Sequence, residues 1–133
     1  MTRYVVDASV AVEYLLRTPV GESLGELLES AVLLAPELLD AEVLSVLRRA
    51  VLQDRLAETR ALQAVDDLVH WPVERISHRL LAPLAWQYRQ NLSAYDALYV
   101  ATARAHDLPL LTADARLARA TGLDIAVQYV RIG

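Results

Sequence analysis

The fold class this sequence predicts is α/β, with a short and mostly parallel central sheet. Two observations carry that prediction. Short apolar, β-branched runs alternate along the chain with stretches of helical periodicity, the pattern of strand–helix–strand units. At 133 residues the chain also has the length of one ordinary domain, and no repeat, linker or low-complexity stretch divides it. We therefore expect one domain over residues 1–133.

The elements follow in order. Residues 3–6 (Arg-Tyr-Val-Val) predict a short buried strand that ends at Asp7. Ser9 is a suitable cap for a first helix to about Leu16, and Pro19 breaks the pattern. Residues 20–30 predict a second helix with Leu24, Leu27 and Leu28 on one face. Val32–Ala35 is the second strand, closed by Pro36. A long helix is predicted over 37–52, with Leu39, Val43, Val46, Leu47 and Ala50 as its apolar stripe, and another over 57–69. Val73–Ile76 is a third strand, followed by a helix over 77–90. Ser93 starts a helix that reaches His106. Leu108–Leu111 is a strand, Thr112–Thr121 begins with a helical turn, and Ala126–Val130 is a last strand.

Composition narrows the function classes. Hydrophobic residues make up 55% of the chain, an excess that predicts a dry core together with apolar patches for partners, and hence a dimer. No apolar run approaches the ~18 residues of a membrane span. The first residues lack the layout of a signal peptide, and cysteine is absent, so a cytoplasmic protein is expected. The net charge is −4, and every one of the 13 basic residues is arginine. A mild acidic total argues against tight binding through a broad basic face, although local patches still permit a nucleic-acid substrate. The lack of lysine disfavours receiver domains, phosphoaspartate phosphatases and P-loop NTPases, all of which need one.

Four acids stand out. In an open α/β sheet, ligands gather at the carboxyl ends of the strands. Asp7 closes the first strand, and Thr112 and Asp114 follow the strand at Leu108–Leu111. Glu42 lies a turn inside the helix after the second strand, and Asp96 in the first turn of its helix. Each has an ordinary alternative. Asp7 is a good helix cap, Ser93-Ala94-Tyr95-Asp96 fits a capping box, and Asp114 suits the N-terminus of its own short helix. Glu42 lies at the margin of an apolar stripe, where a carboxylate is costly unless partnered; solvation or pairing with Arg49 would serve. Gathered together, these acids would repel one another without a cation, and Mg²⁺ or Mn²⁺, which take oxygen ligands, would serve phosphodiester hydrolysis. Ser9 and Thr112 supply neutral hydroxyls that can orient a carboxylate, a water or a phosphate oxygen. Glu13, one to two turns after Asp7, is the further acid best placed to approach this group.

Other polar and aromatic residues read as structural. His70, His78 and His106 are scattered without ligand spacing. Trp71, Trp86 and Tyr88 suit a core or an interface, and Tyr95 and Tyr99 suit packing better than base stacking. Arg48, Arg49, Arg104 and Arg116 follow the acids on the same elements, as candidates for phosphate contacts or as members of solvated faces.

The ordered motifs resemble the PIN-domain family, and within it the VapC-type toxins of toxin–antitoxin pairs. They are Tyr-Val-Val-Asp7-Ala-Ser9, Pro36-Glu-Leu-Leu-Asp-Ala-Glu42, Ser93-Ala-Tyr-Asp96-Ala-Leu-Tyr99-Val-Ala, and Leu-Leu-Thr112-Ala-Asp114. The resemblance spans essentially the whole chain. It implies a three-layer α/β/α fold and an endoribonuclease dependent on Mg²⁺ or Mn²⁺, acting on structured RNA such as tRNA or rRNA. It also implies homodimerisation and inhibition by a small antitoxin. By motif, Asp7 and Asp96 become the direct metal ligands, and Glu42 and Asp114 complete the acidic pocket, through water if not directly. Ser9 and Thr112 become supporting groups. Rival readings are a housekeeping RNA-processing nuclease of the same fold, a non-catalytic interaction module and a generic phosphohydrolase.

Overall fold

The computed structural model describes residues 1–132. Five strands form one sheet in the order β3-β2-β1-β4-β5. They are β1 (Arg3–Val6), β2 (Val32–Pro36), β3 (Val73–Ile76), β4 (Leu110–Thr112) and β5 (Val127–Tyr129), and every neighbouring pair is parallel. The helices are α1 (Ala8–Leu15), α2 (Pro19–Ser30), α3 (Leu38–Leu52), α4 (Glu58–His70), α5 (His78–Trp86), α6 (Ala94–His106) and α7 (Ala115–Ala118).

The order of strands sets the layers. From β1 the chain moves outward to β2 and β3, then returns past β1 to β4 and β5. Parallel crossovers are right-handed, so the first two place α1–α4 on one face and the later ones place α5–α7 on the other. The packing agrees: α1 meets α2, α3 and α4, while α5 packs on α6 and α6 lies against β1, β2 and β4. The three-layer α/β/α architecture expected from the motifs is the one observed. Its strands read as apolar runs because a sheet covered on both faces has no wet side. Val5, Val6, Leu34 and Leu110 are fully buried at its centre.

Local chemistry moved several boundaries. Asp7, not Ser9, caps α1, and its carboxylate accepts from the Val10 N–H. Pro19 begins α2 instead of preceding it, because a proline at the first helical position lacks only an N–H that would be unsatisfied there; Thr18 is the cap. Gly21 is required at the α1–α2 corner, since a Cβ there would stand 1.8 Å from the Glu13 carbonyl oxygen. The fourth strand starts at Leu110, not Leu108. Asp107 turns left-handed (φ 52°) to end α6, and the Leu108 N–H goes back to the Ala103 carbonyl. Thr112 consequently belongs to β4 and not to the following turn. Helix α5 contains Pro83 and ends at Trp86, and residues 87–90 continue as turns instead of helix.

The apolar excess is visible on the outside as well. Leu44, Leu52, Leu62 and Val69 are exposed on α3 and α4, and Leu80, Trp86 and Tyr95 on α5 and α6. Among the described residues, no helix is long and apolar enough to cross a membrane.

Candidate active site

The turn-back of the chain has a geometric result at the sheet's carboxyl edge. Beyond β1 the chain leaves for one face, and beyond β4 for the other, so a crevice opens between these two strand ends. Asp7 stands at the end of β1 and Thr112 at the end of β4, and parallel pairing of Val6 with Leu111 brings them side by side.

Asp7 is 5% exposed, and both its oxygens are held. Oδ1 accepts from the Ser9 hydroxyl at 2.5 Å and from the Val10 N–H at 3.2 Å. Oδ2 accepts from the Thr112 hydroxyl at 2.5 Å. Burial pushes the Asp7 carboxyl above its usual pKa; the three donors pull against that, and the charge of Asp114 adds to it. The hydroxyls extend across the crevice. The Thr112 Oγ1 accepts from the Asp114 N–H at 3.0 Å, and the Ser9 Oγ accepts from the Ala113 N–H at 2.8 Å. Ser9 and Thr112 thus tie the end of β1 to the loop after β4.

Glu42 reaches the same edge from α3. It is half-buried, and its Oε1 accepts from the Tyr99 hydroxyl at 2.7 Å, in place of any pairing with Arg49. Tyr99, on α6, is 2% exposed. Burial above all, and then Glu42 and Asp7, push its phenol well above the ordinary tyrosine range, so it remains a donor. Tyr99 packs, as its sequence context predicts, and its polar end lies on an acid of the group. Its signal was faint but present: a buried tyrosine hydroxyl needs a partner.

Asp96 and Asp114 form the outer pair. The capping box is half made: the Ser93 Oγ accepts from the Asp96 N–H at 3.2 Å, while the Asp96 carboxylate turns to Arg116. Arg116 Nη2 donates to Asp96 Oδ2 at 2.8 Å and to Asp114 Oδ2 at 3.0 Å. Asp114 also caps α7 through Oδ1, which accepts from the N–H groups of Arg116 and Leu117. Of the other arginines, Arg104 donates to the Tyr88 hydroxyl, and Arg48 and Arg49 are exposed on α3. Glu13 lies apart, accepting from the Thr18 hydroxyl at the α1–α2 corner. His70 and His106 sit against carbonyls of their own helices. His78 does more: its Nε2 accepts from the Leu38 N–H at 2.8 Å, capping α3 from a separate element, while its own N–H donates to Glu37.

The donors at this edge are carboxylates and hydroxyls, the oxygen set that suits Mg²⁺ or Mn²⁺, so the residues fit a hard cation in kind. Among the described residues, no three acidic or imidazole groups are grouped so as to hold an ion. The reason is visible: Asp7 is turned to two hydroxyls, Glu42 to Tyr99, and the outer pair to Arg116.

Known proteins resemble this chain in sequence and in fold. A family model described as PIN domain matches residues 4–123. Ribonuclease VapC1 of Mycobacterium tuberculosis is 45% identical over 133 residues, which cover 98% of this chain and 100% of that protein. The crystal structure of Mycobacterium tuberculosis VapC20, described as a sarcin-ricin loop cleaving toxin, gives a TM-score of 0.64 at 18% identity, covering 86% of this chain and 92% of that one. VapBC2 from Rickettsia felis, solved with a DNA fragment from its promoter, gives 0.63 at 14% identity, covering 96% and 98%. At such identities the two structures speak for the fold, and the sequence relatives speak for the family. On these grounds the chain belongs to the PIN domain family, grouped there with the VapC proteins.

Proposed function

We propose that this chain is the toxin of a toxin–antitoxin pair, a single-domain endoribonuclease that hydrolyses RNA with Mg²⁺ or Mn²⁺ at Asp7, Glu42, Asp96 and Asp114. What supports the reading is a chain of contacts at the β1–β4 edge, in a chain 45% identical to a protein named as a ribonuclease: Thr112 donates to Asp7 and accepts from the Asp114 N–H, Arg116 joins Asp114 to Asp96, and Tyr99 on α6 donates to Glu42. A cytoplasmic location, a homodimer and an antitoxin partner go with it. The exposed apolar side chains of α3–α6 support the last two, and solved relatives include VapBC toxin–antitoxin assemblies.

Asp7 and Asp96 would hold the cation, with Glu42 and Asp114 completing the pocket. When bound, the cation would supply positive charge to the phosphoryl oxygens and lower the pKa of a water. The protein's share is positioning. Ser9 and Thr112 fix both oxygens of Asp7, so its carboxylate cannot rotate out of the crevice. Tyr99, held neutral, fixes Glu42 Oε1 and leaves Oε2 to accept a proton from the attacking water.

The test is cleavage of a structured RNA by purified protein with Mn²⁺ or Mg²⁺. Asp7→Asn and Asp96→Asn should each abolish it while circular dichroism stays native. Equal cleavage by wild type and both variants would overturn the site assignment. Sequencing of RNA ends after controlled expression, with Asp7→Asn as control, would identify the substrate.

A further inference from the structure

The outer acid pair already shares a counter-charge, and the chain itself supplies it. Arg116 places one nitrogen against two carboxylates from two different elements, Asp96 at the start of α6 and Asp114 at the cap of α7. Both bonds go to Oδ2 atoms, so the guanidinium sits between acids that would otherwise face each other unscreened. A divalent cation seeking those oxygens meets a resident positive charge.

That charge is placed to leave. The Arg116 side chain is 66% exposed, against 17% for Asp96 and 33% for Asp114. Ion pairs in water are worth little, because the ions keep most of their hydration and the long side chain gives up rotamer freedom to stay. The two acids, by contrast, are set independently of it. The Arg116 and Leu117 N–H groups hold Asp114 Oδ1, and Asp96 rides on a helix capped by Ser93. Removing the guanidinium removes the counter-charge and leaves the acids on their elements.

We propose that Arg116 is a displaceable internal counter-ion, which holds Asp96 and Asp114 in the cation-free protein and competes with the divalent cation for them. The proposal rests on the metal-dependent reading above. Its consequence is that the protein binds its cation more weakly than its acids alone would allow, and that the arginine is released when the cation arrives.

Binding of Mn²⁺ to the full chain without RNA, followed by the electron paramagnetic resonance of free Mn²⁺, tests this apart from activity. Exposed ion pairs contribute about 0.2–1 kcal/mol each, and Arg116 makes two, so Arg116→Gln should tighten Mn²⁺ binding by roughly two- to thirtyfold. Arg116→Lys, which keeps the charge, should stay near wild type. Circular dichroism should be native in both. Unchanged or weaker binding by Arg116→Gln would overturn the proposal, and so would equal tightening by both variants. If the wild type binds no Mn²⁺ at all, the metal-dependent reading itself fails, a result distinct from wild-type binding that Arg116→Gln leaves unimproved.

Discussion

Replacing Tyr99 with phenylalanine removes one oxygen from the interior and little else. The ring is 2% exposed and keeps its place, so no cavity opens. What is lost is a 2.7 Å bond from a buried hydroxyl to a carboxylate. Bonds to charged groups contribute about 1.5–3 kcal/mol. Glu42 is only half-buried, so water can reach the freed oxygen, and the net cost should fall near 1–1.5 kcal/mol by the same reckoning. For a domain of this size that lowers the unfolding midpoint by about 3–6 °C. If the lost bond also frees Glu42 to rotate, and the transition state bears the same cost, cleavage slows roughly five- to tenfold. The assays are thermal unfolding by circular dichroism and single-turnover cleavage with Mn²⁺. A variant that melts earlier yet cleaves at the wild-type rate would refute the claim that Tyr99 positions Glu42. One that melts with the wild type would refute the value assigned to the bond.

Three further outcomes follow from the same geometry. Thr112→Val leaves the buried Asp7 with one donor fewer and the Asp114 N–H without its acceptor, so it should cost about 1.5–3 kcal/mol of stability and most of the activity, while Thr112→Ser retains both; denaturant titration of the pair checks this. Wild-type stability measured in EDTA should fall as pH rises through the folded pKa of Asp7. Burial lifts that pKa, so the protonated form favours folding below the ordinary carboxylate pKa and the advantage is lost above it; Asp7→Asn never ionises and should lack this fall, and an identical pH profile in the two proteins would contradict it. His78→Ala withdraws the side-chain acceptor of the Leu38 N–H at the start of α3 and should cost about 1 kcal/mol, measured by chemical denaturation, whereas a surface role would leave stability unchanged.

Much of the fold was legible in the sequence because its strands are covered on both sides. Tyr4-Val5-Val6 and Leu33-Leu34-Ala35 have no polar alternation to confuse with a helix face, and the turn residues around them are explicit. The four acids are proposed as a set from the order of the motifs and the place of Glu42 at the margin of an apolar stripe, since Asp7, Asp96 and Asp114 taken singly read as helix caps. The partners of these acids were not legible. Tyr99 meets Glu42 across 57 residues, and Arg116 meets Asp96 across 20, contacts that no local period encodes. His78 was hidden for the same reason: the helix it caps begins 40 residues earlier. The misplaced ends had local causes that compete on nearly equal terms. Asp7 and Ser9 are both good caps, and the structure uses Asp7 as the cap with Ser9 donating to it.

The bond between Thr112 and Asp7 spans 105 residues, and it has a consequence for the order of events during synthesis. Asp7 is made well before Thr112. Its second oxygen gains a donor only when β4 has been translated and has paired with β1, and the residues of α1–α6 are made before that. Closing so long a loop requires most of the chain to be in place. A chain that stops short of β4 therefore lacks the Thr112 partner of Asp7. The surroundings of this carboxylate are completed by the pairing of two strands far apart in sequence, and by no local segment.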